Sequence, residues 1–245
     1  MPGDHSGRLL QGAWSPITQA IGLLRSTPED AVASFVDWKR SLVAEYGATI
    51  DCREVAGNLD ELFAGLLPLQ SPQPDRYLLL PTANTEWTAV YDNDRMGSEP
   101  HSLTAALHRR FGFETIEVIS IPHTITSDKM RGRYGCIALI YHHAGGERWV
   151  RAMHDGRWHF GTTGDPLPFE DLQAYQRLRH RDRFTHDMLA DYLAALDLHP
   201  FDVDFYAPGG VGTIVEEVNQ NFPRKHWTLA QARSGIEETD TPILT

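Results

Sequence analysis

Twelve histidines, two cysteines and several close-set carboxylates are the side chains here that could do chemistry. Zinc requires three or four donors converging at about 2 Å, and two histidines one helical turn apart supply half of such a set. No His-x-x-x-His pair occurs. His142 and His143 are adjacent and point to opposite faces of a strand, while His101 and His108 stand two helical turns apart, too far to chelate one ion easily. His154 and His159 flank Asp155-Gly156 and are the best available pair, as possible cross-strand neighbours. The pattern favours scattered imidazoles, so no metal and no other cofactor is expected.

Nucleophilic chemistry finds no signature either. There is no Gly-x-Ser-x-Gly elbow, and neither Cys52 nor Cys136 has an obviously basic, exposed setting that would lower a thiol pKa. Both cysteines fall in strand-like patterns and read as small buried hydrophobes. Pro208-Gly209-Gly210-Val211-Gly212-Thr213 superficially resembles a phosphate loop but lacks the Gly-Lys-Ser/Thr ending, and its acidic surroundings would repel phosphate. It reads as a turn. No catalytic residue is expected.

Carboxylates are the more suggestive group. Asp202 and Asp204 follow Asp197 and His199, and in an extended segment residues two apart face the same way. Asp187 and Asp191 lie one turn apart on the polar side of a helix. The plainer reading is that Phe201, Val203 and Phe205 face inward while the aspartates meet water. Upstream, Arg177, Arg179, Arg181 and Arg183 alternate around His180. The acids beginning at Asp187 offer them partners, so internal ion pairs are expected there rather than a phosphate site.

The whole chain carries 22 basic and 33 acidic residues, a formal charge of −11. The imbalance is uneven. Residues 1–94 hold six basic and thirteen acidic side chains, residues 95–183 thirteen and ten, and residues 184–245 three and ten. An acidic molecule repels nucleic acid and anionic lipid and attracts basic partners over a Debye length of about 8 Å in cellular salt. Neither a nucleic-acid nor a membrane partner is therefore expected. The longest apolar run, residues 136–141, is far short of a membrane span. Residues 1–8 lack the charged-then-apolar pattern of a secretory signal. With the two cysteines, this points to a reducing cytoplasm.

The elements that must position these side chains are α+β in pattern. Thr27, Pro28, Glu29 and Asp30 open a helix whose apolar stripe is Phe35, Trp38, Leu42 and Tyr46, closed by Gly47. Residues 49–55 alternate as a strand, and Asn58 caps a short helix. Residues 76–80 and 86–91 make a hairpin, 98–111 a helix, and 115–121 and 134–142 strands. Residues 148–154 and 157–162, joined at Asp155-Gly156, form the strongest hairpin signal in the chain. Thr185 caps a helix with Leu189, Tyr192, Leu193 and Leu196 on one face, and residues 201–206 read as extended. The whole is a single domain, residues 1–245, built as a largely antiparallel sheet flanked by helices, with residues 1–26 as an N-terminal arm and 235–245 as a frayed tail.

Four segments resemble a family of uncharacterised bacterial proteins: Asp155-Gly156-Arg157-Trp158, Pro166-Leu167-Pro168-Phe169-Glu170, Arg181-Asp182-Arg183-Phe184-Thr185, and Phe201-Asp202-Val203-Asp204-Phe205-Tyr206. The resemblance spans the C-terminal half, implies a bacterial cytosolic origin and assigns no residue a role. The reading favoured by charge and composition is a non-catalytic protein-binding module, of the immunity type that neutralises a basic toxin or enzyme. Its binding residues are Asp187, Asp191, Asp202 and Asp204, with Tyr192, Phe205 and Tyr206 as aromatic anchors. The rival is an enzyme whose site is assembled only in space, from His123, His154, His159, Asp155, Arg131, Arg133 and Arg151.

Overall fold

Ala20-Ile21-Gly22-Leu23-Leu24 is apolar without alternation, the pattern of a strand buried on both faces. In the computed structural model, which describes residues 7–125, 132–219 and 223–238, it forms strand β1 (Ala20–Arg25), the fifth strand of a nine-stranded sheet. The expected N-terminal arm is thus corrected. Its residues Ala20–Arg25 are a central strand, and Leu9, Leu10 and Ile17 upstream are buried in the core. No amphipathic period marks a strand covered on both sides.

Most of the expected helices and strands form, whereas the strands Leu69–Ser71, Val211–Val218 and Lys225–Trp227 and the helix Leu229–Glu238 are elements that the pattern did not announce. Helix α1 (Pro28–Val43) starts at Thr27, whose side chain accepts from the Asp30 N–H, and α2 (Leu59–Ala64) starts at a full capping box between Asn58 and Glu61. The sheet strands are β2 (Thr49–Ala56), β4 (Arg76–Pro81), β5 (Trp87–Asp92), β6 (Thr115–Ile121), β7 (Cys136–His143), β8 (Gly146–His154), β9 (Trp158–Thr163) and β10 (Val211–Val218). Short strands β3 (Leu69–Ser71) and β11 (Lys225–Trp227) pair separately. Helices α3 (His101–Phe111), α4 (His186–Ala194) and α5 (Leu229–Glu238) complete the set. Helical backbone runs through Glu238, so the expected tail begins no earlier than residue 239; residues 239–245 lie outside the described residues.

Strand order is β2-β10-β4-β5-β1-β6-β7-β8-β9, with every named pair antiparallel. The fold is α+β, as its pattern implies. One face packs Leu24, Tyr77, Leu79, Val90 and Val215 against Phe35 of α1 and Leu103 and Leu107 of α3. Gly22 permits that approach: a Cβ there would lie 2.6 Å from Val90 Cγ1 and 2.9 Å from Pro100 Cβ. The other face carries the larger core, including Ile21, Leu23, Leu78, Tyr91, Ile116, Val118, Leu139 and Val150 under α2 and α4.

Two local expectations change. Of the α1 stripe, Phe35 is fully buried, whereas Leu42 and Tyr46 remain 46% and 59% exposed, because α1 ends at Val43 and its last turn overhangs a pocket. Cys52 is exposed on β2 and Cys136 is partly exposed, since the strand holding Cys52 is an outer edge.

Charge follows the strand order. Residues 1–94 and 184–245 build β2, β10, β4, β5 and β1, and residues 95–183 build β6 to β9. The strands on one side of the sheet thus come from the acidic segments and those on the other from the mildly basic one, with α4 of the acidic segment laid on β7.

Candidate functional site

The seven predicted binding residues divide by burial. Asp187, Asp191, Asp202 and Asp204 are exposed, and no ion pair engages any of them among the described residues. Tyr192, Phe205 and Tyr206 are corrected, being core side chains only 3–4% exposed. Tyr192 Oη accepts the Asp171 N–H at 2.7 Å, and Tyr206 Oη donates to the Pro200 carbonyl at 2.6 Å. Burying an aromatic ring releases more free energy than an exposed anchor retains, so the core claimed them.

The carboxylates hang on two elements. Asp187 and Asp191 project from α4, whose opposite side sets Leu189, Tyr192 and Leu193 into the core. Asp202 precedes and Asp204 lies within a 3-10 turn, Val203–Phe205, rather than an extended segment. At three residues per turn, positions two apart do not share a face, so the strand-based argument for pairing these two fails.

The arginines do not take these acids as partners. Arg177 Nη1 donates to the Asp182 carbonyl at 2.8 Å and Arg183 Nε to the Arg177 carbonyl at 2.7 Å. Arg183 also lies over the Phe160 ring at 5.8 Å, and Arg181 faces Asp182 at 3.5 Å. The expected internal neutralisation of the downstream aspartates is therefore a correction. The segment instead folds back on itself, along β9.

The rival site is partly assembled. His154 at the end of β8 stands 4.2 Å from His123, ring centre to ring centre, 5.2 Å from Tyr134 and 5.6 Å from Trp158. The register pairs His154 with Trp158 and Met153 with His159. His159 therefore falls on the opposite face from His154, and the expected histidine pair is not made. Instead, His159 Nε2 sits 2.7 Å from Asp155 Oδ1. Arg151 lies over the Trp149 ring, Arg133 reaches Gln19 and the Met96 carbonyl, and Arg131 lies outside the described residues.

Tautomer assignment follows from the hydrogen bonds. His123 Nδ1 accepts the Gly135 N–H at 3.2 Å, and His154 Nδ1 accepts the Gly156 N–H at 3.3 Å. Each neutral ring therefore carries its proton on Nε2 and offers a donor there rather than a lone pair. Burial lowers the pKa of both, and each also feels another imidazole, His123 that of His154 and His154 that of His159. Such a cluster suits hydrogen bonding to an oxygen acceptor and stacking on a planar group. Among the described residues, no group of three or more His, Cys, Asp or Glu is arranged to hold a metal ion.

A pocket of about 550 Å³ opens where α1 ends. Leu42, Val43 and Tyr46 wall it on one side, Pro72 and Pro223 on the other. Its floor is charged: Lys39 Nζ donates to Tyr77 Oη at 2.7 Å and pairs with Glu217, and Arg224 binds Asp75 at 2.6 Å. Both cations at the pocket are thus engaged by carboxylates of the chain itself. Periodicity alone hid this site, because Glu217 and Arg224 come from strand and loop far along the chain from Lys39. Comparison of the chain with protein-family models, with curated proteins and with solved structures gave no match.

Proposed function

We propose that this protein is a non-catalytic binding module that engages a basic protein partner, in the manner of an immunity protein neutralising a toxin or enzyme. One observation carries the reading: Asp187, Asp191, Asp202 and Asp204 stay exposed and, among the described residues, out of ion pairs, although four arginines lie four to ten residues before Asp187. Intramolecular neutralisation is the default fate of such neighbours, and the segment 177–183 instead uses its guanidinium groups on carbonyls, a ring and Asp182. Carboxylates kept in water are available to a cationic surface, where they raise the encounter rate and discourage wrong partners more than they set affinity. With the three aromatic residues in the core, the docking surface is polar.

The test is capture from native cells by the wild-type chain and by the quadruple variant D187K/D191K/D202K/D204K. A basic protein retained by the first and lost by the second, with an association rate falling about tenfold or more on charge reversal and flattening with salt, supports the reading. Equal retention by both, at a salt-independent rate, overturns it.

The convergence of His123, Tyr134, His154 and Trp158 favours a second reading, an enzyme or small-ligand site for an anionic, planar group. Titration with benzoate, a planar carboxylate, while following tryptophan fluorescence, in wild type and in H123A/H154A, checks it. Saturable quenching confined to wild type is the supporting result.

A further inference from the structure

The two outer edges of the sheet are treated differently. Along β9, His180 Nδ1 lies 2.9 Å from the Trp158 carbonyl, and Arg183 stacks over Phe160, so a return segment covers that side. Strand β2 carries no such cover among the described residues: eight residues long, it has six exposed and two half-buried positions. A long uncovered edge is a template for another strand.

Register shows which groups it offers. Gly57 N–H donates to the Gly210 carbonyl at 2.9 Å, continuing the pairing of Ala56 with Val211. In an antiparallel ladder, alternate residues turn their N–H and C=O to the same side. The odd-numbered positions 57, 55, 53, 51 and 49 therefore face β10, and Ile50, Cys52, Glu54 and Ala56 point their backbone outward. Consistent with this, the Cys52 N–H has no β10 partner and is held by its neighbour's Asp51 Oδ1 at 2.9 Å.

We infer that β2 pairs with β2 of a second copy of this chain, antiparallel about a two-fold axis through Cys52. Outward residues must oppose outward residues, so the two-fold can pass only through a residue position, not between two. An axis at Asp51 would set Asp51 against its own copy, and an axis at Arg53 would set Arg53 against its own copy. The axis at Cys52 places Asp51 opposite Arg53 twice, in non-hydrogen-bonded positions where side chains approach most closely. Ile50 and Glu54 then exchange backbone hydrogen bonds with each other across the interface, and the Cys52 N–H passes from Asp51 to the facing Cys52 carbonyl. Asp51 is released to meet Arg53. The sheets join into one of eighteen strands, twice the nine of each copy.

Sedimentation velocity on the full chain from low to high micromolar concentration tests this, with a dimer expected. D51R and R53D each replace two opposite-charge pairs with two like-charge pairs and are expected to raise the dimer Kd about tenfold or more. The double variant D51R/R53D restores complementarity and with it the dimer. E54P removes an outward donor at a position that an edge strand tolerates, and is expected to give a monomer with an unchanged circular dichroism spectrum. A short bismaleimide is expected to link two chains through Cys52, and the C52S variant to remain unlinked. A chain that stays monomeric throughout overturns the inference, as does a dimer indifferent to D51R, R53D and E54P. A monomer that instead takes up an extended peptide along β2 also overturns it, because the occupant is then a different chain.

Discussion

The acidic and basic halves of the sheet are built from the same antiparallel ladder yet finished in opposite ways. On the basic side, Arg148 of β8 forms a two-point ion pair with Glu170, the side chains being 2% and 0% exposed, and donates to the Thr163 and Gly164 carbonyls. Tyr175 Oη donates to Glu170 at 2.9 Å, and the Leu167 N–H adds a further bond. This network clamps residues 164–176 beside β9, with the segment to 183 running on from it. On the acidic side, β10 is the one strand paired with β2 among the described residues, and within one copy the outer backbone and the charges of β2 are left uncovered. The closed edge is stabilised by buried polar groups that satisfy one another, whereas the open edge carries charges that decide which strand it can pair with.

Breaking the clamp is expected to have the largest effect. E170Q leaves Arg148 buried without a counter-charge and should cost about 3–5 kcal/mol in chemical denaturation, with amide exchange accelerating first in β9. A loss below about 1 kcal/mol would show that the clamp is ornamental.

Next in size is a pH effect at the centre of the sheet. Burial pushes the Asp92 carboxyl up to about 7, against hydrogen bonds from the Asp94 and Glu99 N–H groups that favour the charged form. A folded-state pKa above the unfolded value means that the native state binds more protons, so stability is greatest at low pH and declines as pH rises from about 4 to about 7. The decline attributable to Asp92 is at most about 4 kcal/mol, from a shift of about three units. D92N should flatten that part of the stability profile, and an unchanged profile would remove Asp92 as its source.

Smaller effects fall on the surface. The reversal D187K/D191K/D202K/D204K should alter association while shifting thermal stability by less than about 1 kcal/mol, because no ion pair among the described residues is lost. H154A is expected to change stability by about 1 kcal/mol or less, since the ring is only partly buried, and to leave edge protection in β9 intact.

Much of this fold was legible. Thr27, Asn58 and Thr185 cap the helices they announce, and Asp155-Gly156 makes the hairpin it implies. These features depend on a few neighbouring residues, so local chemistry suffices. β1 was hidden because a doubly covered strand has no polar phase. β10 was hidden because its start reads as a glycine turn. Residues 201–206 were misjudged because a 3-10 turn and a short strand can share one alternation.

The candidate sites were less legible still. Exposure of the four aspartates followed from residue type, but burial of Tyr192, Phe205 and Tyr206 depended on what packed above them. His123 meets His154 because β6 and β8 flank β7, a juxtaposition that no spacing of 31 residues encodes. The sequence alone determined the α+β class, the caps and turns, and the division of charge, since each is set by short-range pattern or by counting. Only the tertiary structure decided which charges share a half of the sheet, which edge is covered and which imidazoles converge. Those outcomes depend on strand order, and strand order is chosen by the packing of the whole core.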